Sequence, residues 1–306
     1  MKSNKSIKIL NEYSNGDSKN FIELKFLKKI SKSKVFVTPS GLICHIPSLN
    51  TRNALNKWKD KIFSTKISVR KLKYTANNPV MRARHYYSAI FINDLLSKKK
   101  TIKFCDFGSG EGNFISEIIK LNKKIKIYFT EDSKKNFNNI KKQYKKNIIG
   151  YNGTIEDCNL SKDFKNFDAA SLTWTLSNCV DPVNVLKSIY DTLNKNGILL
   201  VSESSRILVP FKKPINNLFN STNSTHNTHP WFFSYNSLSN LLEICGFEVI
   251  KSNRFYDEND LVVVAKKKNG GSPKIRIDNQ KKVITFMKEW KKVSNKLKKL
   301  TKNYSL

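Results

Sequence analysis

From residue 101 onward, short apolar runs alternate with amphipathic ones. "TIKFCDF" (101–107) is apolar apart from Lys103 and one carboxylate near its end, Asp106, as a buried strand requires. "GNFISEIIKLN" (112–122) repeats its apolar residues at helical spacing. The same exchange continues through "KIKIYFTE" (strand), "SKKNFNNIKKQYKKN" (helix), "NIIGYNG" (strand) and "NFDAASLTW" (strand). It goes on through "DPVNVLKSIYDTLNKNG" (a helix ended by Gly197), "GILLVSES" (strand) and "SYNSLSNLLEICG" (a helix ended by Gly246). Two strands, "FEVIKSNRF" and "DLVVVAKK", close the pattern. Repeated β-α-β units with right-handed crossovers predict an α/β fold with a seven-stranded, mostly parallel sheet and helices on both faces. "YDEN" between the last two strands is too short for a crossover helix, so the final strand is expected to be antiparallel.

The flanks read differently. "FIELKFLKKI" and "KVFVTPSGLICHIP" alternate weakly around Pro39, Ser40 and Gly41 and predict a small β-hairpin. "TRNALNKWKDKIF" and "MRARHYYSAIFINDLLSK" read as helices, the second with an apolar face through Tyr86, Ile90 and Leu95. After Lys268, Gly-Gly-Ser-Pro reads as a linker; then Val283, Phe286, Met287, Trp290, Leu297 and Leu300 recur at helical spacing with lysines opposite. Two readings of this stripe stay open: a terminal helix docked on the domain, or a basic amphipathic helix on an anionic membrane surface. The expected organisation is an N-terminal hairpin and helical cap over 1–95 and a central domain over 96–268. A substrate-side insertion at 204–233 and a basic amphipathic tail over 269–306 complete it.

Composition narrows this picture. No apolar stretch reaches the roughly 18 residues of a membrane helix, and the first twenty residues hold no apolar run of secretory type. The five cysteines are scattered, odd in number and free of CxxC pairs, so the expectation is a cytoplasmic chain without disulfides or zinc. The formal charge is +32, carried far more by lysine than by arginine. It fits a polyanion partner, nucleic acid or a membrane face, and equally an AT-rich coding bias toward Lys, Asn and Ile. Oligomeric state is not legible.

The chemistry concentrates in "DFGSGEG", where Gly108, Gly110 and Gly112 follow a strand and open a helix. A dinucleotide fingerprint needs glycine three residues after Gly110, where Asn113 stands, and a phosphate loop needs Gly-Lys-Ser/Thr, where "EGNF" stands. What remains, D-x-G-x-G-x-G, resembles the first motif of class I S-adenosylmethionine-dependent methyltransferases. The resemblance runs from about Phe104 to Lys266 and implies their Rossmann-like fold and S-adenosylmethionine as cofactor. It implies cofactor contacts at Asp106 (toward the ammonium), Gly108, Ser109, Gly110 and Gly112. In "YFTEDS", Glu131 takes the ribose hydroxyls, with Asp132 as the neighbouring acid. In "NGTIEDC" it implies Ile155 and Glu156 at the adenine, with Thr154 as the alternative. Thr173 closes the cofactor set.

"NFDAASLTWTLSNCVDP" resembles the family's fourth strand and the loop lining the transfer site, implying substrate contacts at Trp174, Ser177 and Asn178. Many relatives carry Leu-Glu-His there; this chain has Leu176-Ser177-Asn178, so no acid–base role carries over. The insertion begins where open α/β sheets place their ligands and holds "STHNTHPWFFS". His226 and His229, with Glu203, are therefore the candidate proton acceptors. "THPWFFSYNSLSNLLEICGFEV" resembles methyltransferases that modify sugars and polysaccharides. Many of those bind zinc in an N-terminal cap through cysteines; only Cys44 and His45 stand here, so no metal is expected. The expected acceptor is a small molecule, with RNA as the alternative; the amine-methylating Asn/Asp-Pro-Pro-aromatic run is missing after the fourth strand.

Overall fold

Three short strands come first in the chain: β1 (Ile22–Glu23), β2 (Lys34–Val37) and β3 (Ile43–Ile46). This computed structural model describes residues 18–28, 34–46, 79–96, 100–145, 148–158, 161–179, 181–203, 206–209, 215, 219, 230–255 and 260–303. The β2–β3 hairpin forms around Pro39–Gly41 as the turn residues predict. Among the described residues of "FIELKFLKKI", Ile22 and Glu23 pair with it, Leu24 N–H donates to Val35 O, and a 3-10 turn over Lys25–Leu27 then buries Leu27. The predicted helix "TRNALNKWKDKIF" lies outside the described residues.

Helix α1 (Pro79–Asn93) starts with proline, whose missing N–H costs nothing in a first turn. The buried face differs from the expected one. Tyr86, Ile90 and Leu95 are exposed, while His85, Ser88, Ala89 and Ile92 turn inward. The next five strands run parallel, and the helices between them cover the two faces: β4 (Ile102–Phe107), α2 (Asn113–Leu121), β5 (Ile125–Glu131), α3 (Lys134–Tyr144), β6 (Ile148–Asn152), β7 (Phe167–Thr173), α4 (Pro182–Thr192) and β8 (Leu193–Glu203). The α4 helix ends at Thr192 rather than at Gly197, and Leu193 already pairs with Phe167 across an irregular register. After β9 (Trp231–Phe232) come α5 (Tyr235–Ile244), β10 (Phe247–Ser252), β11 (Leu261–Lys267) and α6 (Gln280–Asn303).

The large sheet has the order β10-β11-β8-β7-β4-β5-β6, with β11 antiparallel to both neighbours. Its strands alternate between two cores: Phe104 points to the layer of α1, α2 and α3, and the next residue, Cys105, to that of α4 and α5. The carboxyl ends of β4, β5, β7, β8 and β10 therefore share one edge.

β9 pairs with β3 and completes a second, four-stranded sheet. Against this sheet lies α6, with Val283, Met287 and Trp290 fully buried on Val37, Ile43 and Phe232. Gln280 donates to the carbonyls of Asn20 and Val37, fixing the start of the helix. The stripe is thus covered by the protein itself from Val283 to Trp290, and Leu297 and Leu300 stay exposed. Among the described residues, no helix is long and apolar enough to cross a membrane.

Candidate active site

Three carboxylates sit at the ends of neighbouring parallel strands: Asp106 on β4, Glu131 on β5 and Glu203 on β8. Between β4 and α2 runs the glycine turn. Its consecutive amides are latched to the end of β5: Gly108 N–H donates to Thr130 Oγ1 (3.1 Å), Ser109 N–H to Thr130 O (3.0 Å), and Gly110 N–H to Glu131 Oε2 (2.8 Å). These amides are consequently spent inside the protein, which fits a ligand without phosphate.

The glycines serve different ends. Gly108 and Gly110 both have left-handed backbone, with φ of +67° and +56°. A β-carbon on Gly108 would meet Thr175 Cγ2 at 2.9 Å, so here it is the protein's own loop after β7 that needs the bare backbone. A β-carbon on Gly110 would meet nothing within 4 Å and would project into open space. Gly110 is the position where the turn is bare toward a ligand. Gly112, also left-handed, caps α2 against Ile140.

Asp106 is fully buried. Oδ1 accepts from Ser171 Oγ at 2.6 Å, and Oδ2 has no hydrogen-bond partner among the described residues. Burial pushes its carboxyl up to about 6, against the pull of the Ser171 and Ser109 hydroxyls. Ser109 Oγ donates to Asp106 O, so this predicted contact residue braces the turn. Glu131 Oε1 accepts from Ser133 N–H at 2.9 Å and Oε2 from Gly110 N–H, so its carboxylate is fixed beside the glycine turn. Asp132, the neighbouring acid, is exposed. Beyond β6, Ile155 is buried and Glu156 half-buried, whereas Thr154 is occupied with Asp157 (2.6 Å).

The loop after β7 departs most from expectation. Thr173 is buried and its carbonyl accepts from Thr175 Oγ1. Trp174 has left-handed backbone at φ +51°, held by its N–H to Ser202 O (2.7 Å) and by Asn178 Nδ2 on its carbonyl (3.0 Å). Ser177, expected to face substrate, is fully buried, and its N–H donates to Glu203 Oε1 at 3.2 Å. The 3-10 turn Leu176–Asn178 folds back under the edge, so Ser177 and Asn178 use these groups within the loop. Glu203 has 0 % exposure; its Oε2 has no partner among the described residues, and burial pushes its carboxyl up to about 7. His226 and His229 lie outside the described residues.

Sequence reasoning read α1 as a helix but missed its approach to this edge. His85 stands edge-on to Trp174 at 4.4 Å between ring centroids. It is buried, with Nδ1 unpartnered among the described residues, and burial with the adjacent Arg84 charge lowers it to about 4. Arg84 pairs with Asp260 at 2.7 Å, and Ser88 meets Ser202 at 3.3 Å. Three side chains of one helix turn thus reach the loop after β7, β8 and the start of β11. A polar cleft of about 370 Å³ opens beside them, lined by Arg82, His85, Glu111, Asn113 and Glu117 among others. The signal was present as Arg84-His85 and Ser88 on the face left polar, opposite the aromatic one. Elsewhere, His45 is packed between Phe219 and Phe232, away from this edge.

Strand order, the antiparallel seventh strand and a bare turn at the first strand–helix junction define a Rossmann-like transferase fold. The chain belongs to the methyltransferase-domain family, whose sequence profile, described as "Methyltransferase domain", matches residues 81–252. No curated protein matches the chain. Among solved structures, 1,6-didemethyltoxoflavin-N1-methyltransferase from Burkholderia thailandensis, with 1,6-didemethyltoxoflavin and S-adenosylhomocysteine bound, is 14 % identical at a TM-score of 0.50, over 78 % of this chain and 96 % of that one. The methyltransferase solved with the Haloferax volcanii Trm112 methyltransferase activator is 11 % identical at a TM-score of 0.50, over 63 % and 94 %. At such identity the likeness is one of fold.

Proposed function

We propose that the carboxyl edge binds S-adenosylmethionine and transfers its methyl group to a small molecule. The observation that carries this is the pairing of Asp106 and Gly110: a buried carboxylate oxygen without a donor beside a turn that is bare toward open space. A cationic amino acid end supplies the donor that Oδ2 lacks, and ionises Asp106 fully. Glu131, held at the end of β5 beside the glycine turn, is the acceptor we assign to a ribose diol, and Ile155 with Glu156 offers an apolar and a polar contact for adenine. The residues present fit the cofactor. When bound, it supplies a methyl group activated by a sulfonium.

The chain's own contribution is alignment and exclusion of water. Thr175 packed on Gly108 holds the loop after β7 against the glycine turn, and the left-handed Trp174 sets the wall between cofactor and acceptor. A hydroxyl acceptor must lose a proton. Among the described residues Glu203, near 7, has the matching basicity, whereas His85, near 4, is neutral and weakly basic. His226 and His229 stay candidates on sequence grounds. A sugar or surface-polysaccharide precursor is the acceptor we favour, on the resemblance of "THPWFFSYNSLSNLLEICGFEV" to enzymes of that kind.

Calorimetry with S-adenosylhomocysteine tests the reading. Saturable heat that disappears in Asp106→Ala is expected; equal heat from both proteins refutes the assignment.

A further inference from the structure

The chain contains 49 lysines and only seven arginines. Lysine serves wherever a charge need only face water; a guanidinium adds a rigid planar fork and a stacking face. Two of the seven, Arg254 and Arg276, meet on Tyr235, and a third, Arg206, bonds to Arg254. Arg254 lies 4.8 Å from the Tyr235 ring centroid and 4.3 Å from that of Phe255. Arg276 lies 5.5 Å from the Tyr235 ring and donates to its hydroxyl at 2.7 Å. Arg206, 4 % exposed, donates from Nη2 to Arg254 O at 2.8 Å and so fixes the turn that presents Arg254 and Phe255. Phe255 is 84 % exposed, an uncovered ring beside a guanidinium.

A cavity of about 420 Å³ opens among Arg206, Tyr235, Arg254, Phe255 and Asp278. The lining carries two guanidiniums, Arg206 and Arg254, against the single carboxylate of Asp278, which accepts from Ser234 Oγ and from Asn236 Nδ2 (2.7 Å). The place is informative. β8 and β10 are both antiparallel to β11, so Arg206, just past β8, and Arg254, just past β10, share the edge that carries Glu203. β10 lies two strand spacings from β8, roughly 10 Å. That is the span of one small molecule, on the side away from the glycine turn.

We propose that this cavity holds an oxyanion, phosphate or carboxylate, borne on a planar ring of the methyl acceptor. The guanidinium of Arg254 faces the anion, and the ring stacks on Phe255. The volume suits a small ligand rather than a polynucleotide. The acceptor role rests on the methyltransferase reading above; the site itself rests on the arginine geometry.

Phenyl phosphate joins the two features in one probe. It is titrated by calorimetry into the full chain, with and without saturating S-adenosylhomocysteine, beside inorganic phosphate and phenol. Saturable binding tighter than either half-probe is expected. Arg254→Glu should weaken it at least about tenfold and Phe255→Ala about three- to fivefold, the range of an exposed cation–π and stacking contact. Affinity for S-adenosylhomocysteine should be the same in both variants, which also shows them folded. Equal phenyl phosphate binding by wild type and Arg254→Glu overturns the site. So does silence toward phenyl phosphate combined with Arg254-dependent binding of a short RNA, which assigns the arginines to nucleic acid. If S-adenosylhomocysteine gives no heat while phenyl phosphate still depends on Arg254, the site stands and the methyltransferase reading falls.

Discussion

Asp106 and Glu203 are both fully buried carboxylates at the ends of parallel strands, with only β7 between their strands. Their surroundings differ in the donors. Asp106 receives a hydroxyl at 2.6 Å, Glu203 an amide at 3.2 Å, and burial raises the first to about 6 and the second to about 7. Burial lifts both by a similar amount, so the gap between them follows mainly from the higher ordinary value of a glutamate, 4.5 against 3.8 for an aspartate. At neutral pH Asp106 is mostly a fixed anion suited to a cation, and Glu203 is poised to exchange a proton. In the function proposed above, Asp106 holds a fixed charge toward the cofactor and Glu203 takes the proton of the acceptor.

Four experiments break or sharpen that contrast. The largest effect is expected from Gly110→Val, which fills the open space at the turn: S-adenosylhomocysteine binding falls more than about 100-fold, while left-handed strain costs the fold only about 1–2 kcal/mol. Unchanged affinity, measured by calorimetry, would move the ligand away from this turn. Asp106→Asn removes the charge but keeps the shape, and affinity should drop about 10- to 100-fold, the worth of one charged hydrogen bond.

Glu203→Gln acts on the other half. The native state holds a proton on Glu203 that the unfolded chain releases at its ordinary value of 4.5, so the stability it contributes is complete below about pH 4 and is lost as pH rises through about 7. The difference amounts to about 3 kcal/mol. The variant should be more stable than wild type by about 3 kcal/mol at pH 8, converging by pH 4, with cofactor affinity unchanged. Denaturant melts across pH that run parallel for the two proteins contradict a buried, proton-exchanging Glu203. The smallest effect is expected from His85 and Trp174. A double-mutant cycle with His85→Ala and Trp174→Leu should give a coupling of about 0.5–1.5 kcal/mol in stability, the worth of an edge-to-face pair. Additive effects would detach α1 from the loop after β7.

The two halves also differed in how far they could be read in advance. On the cofactor side, Asp106, the three glycines and Glu131 lie within 26 residues, and local chain geometry brings them together. Even there the reason for Gly108 was hidden, since Thr175 stands 67 residues away. On the acceptor side, Ser177 looked available because a sequence does not show that a 3-10 turn folds it under Glu203. The helix α1 presented its aromatic face to solvent because its polar His85 and Ser88 meet Trp174 and Ser202, partners that hydrophobic spacing cannot reveal.

Alternation of apolar period and the spacing of one acidic and three bare positions were enough for the sheet, its antiparallel closing strand and the glycine turn at the first strand–helix junction, because these are short-range consequences of strand and helix geometry. Tertiary structure alone decided that residues 231–232 join a hairpin formed some 190 positions earlier, that the C-terminal helix hides its stripe on that sheet, and that arginines 254 and 276 meet on one tyrosine. Those arrangements depend on contacts between distant parts of the chain, whose energies come from burial and charge pairing that no local pattern encodes.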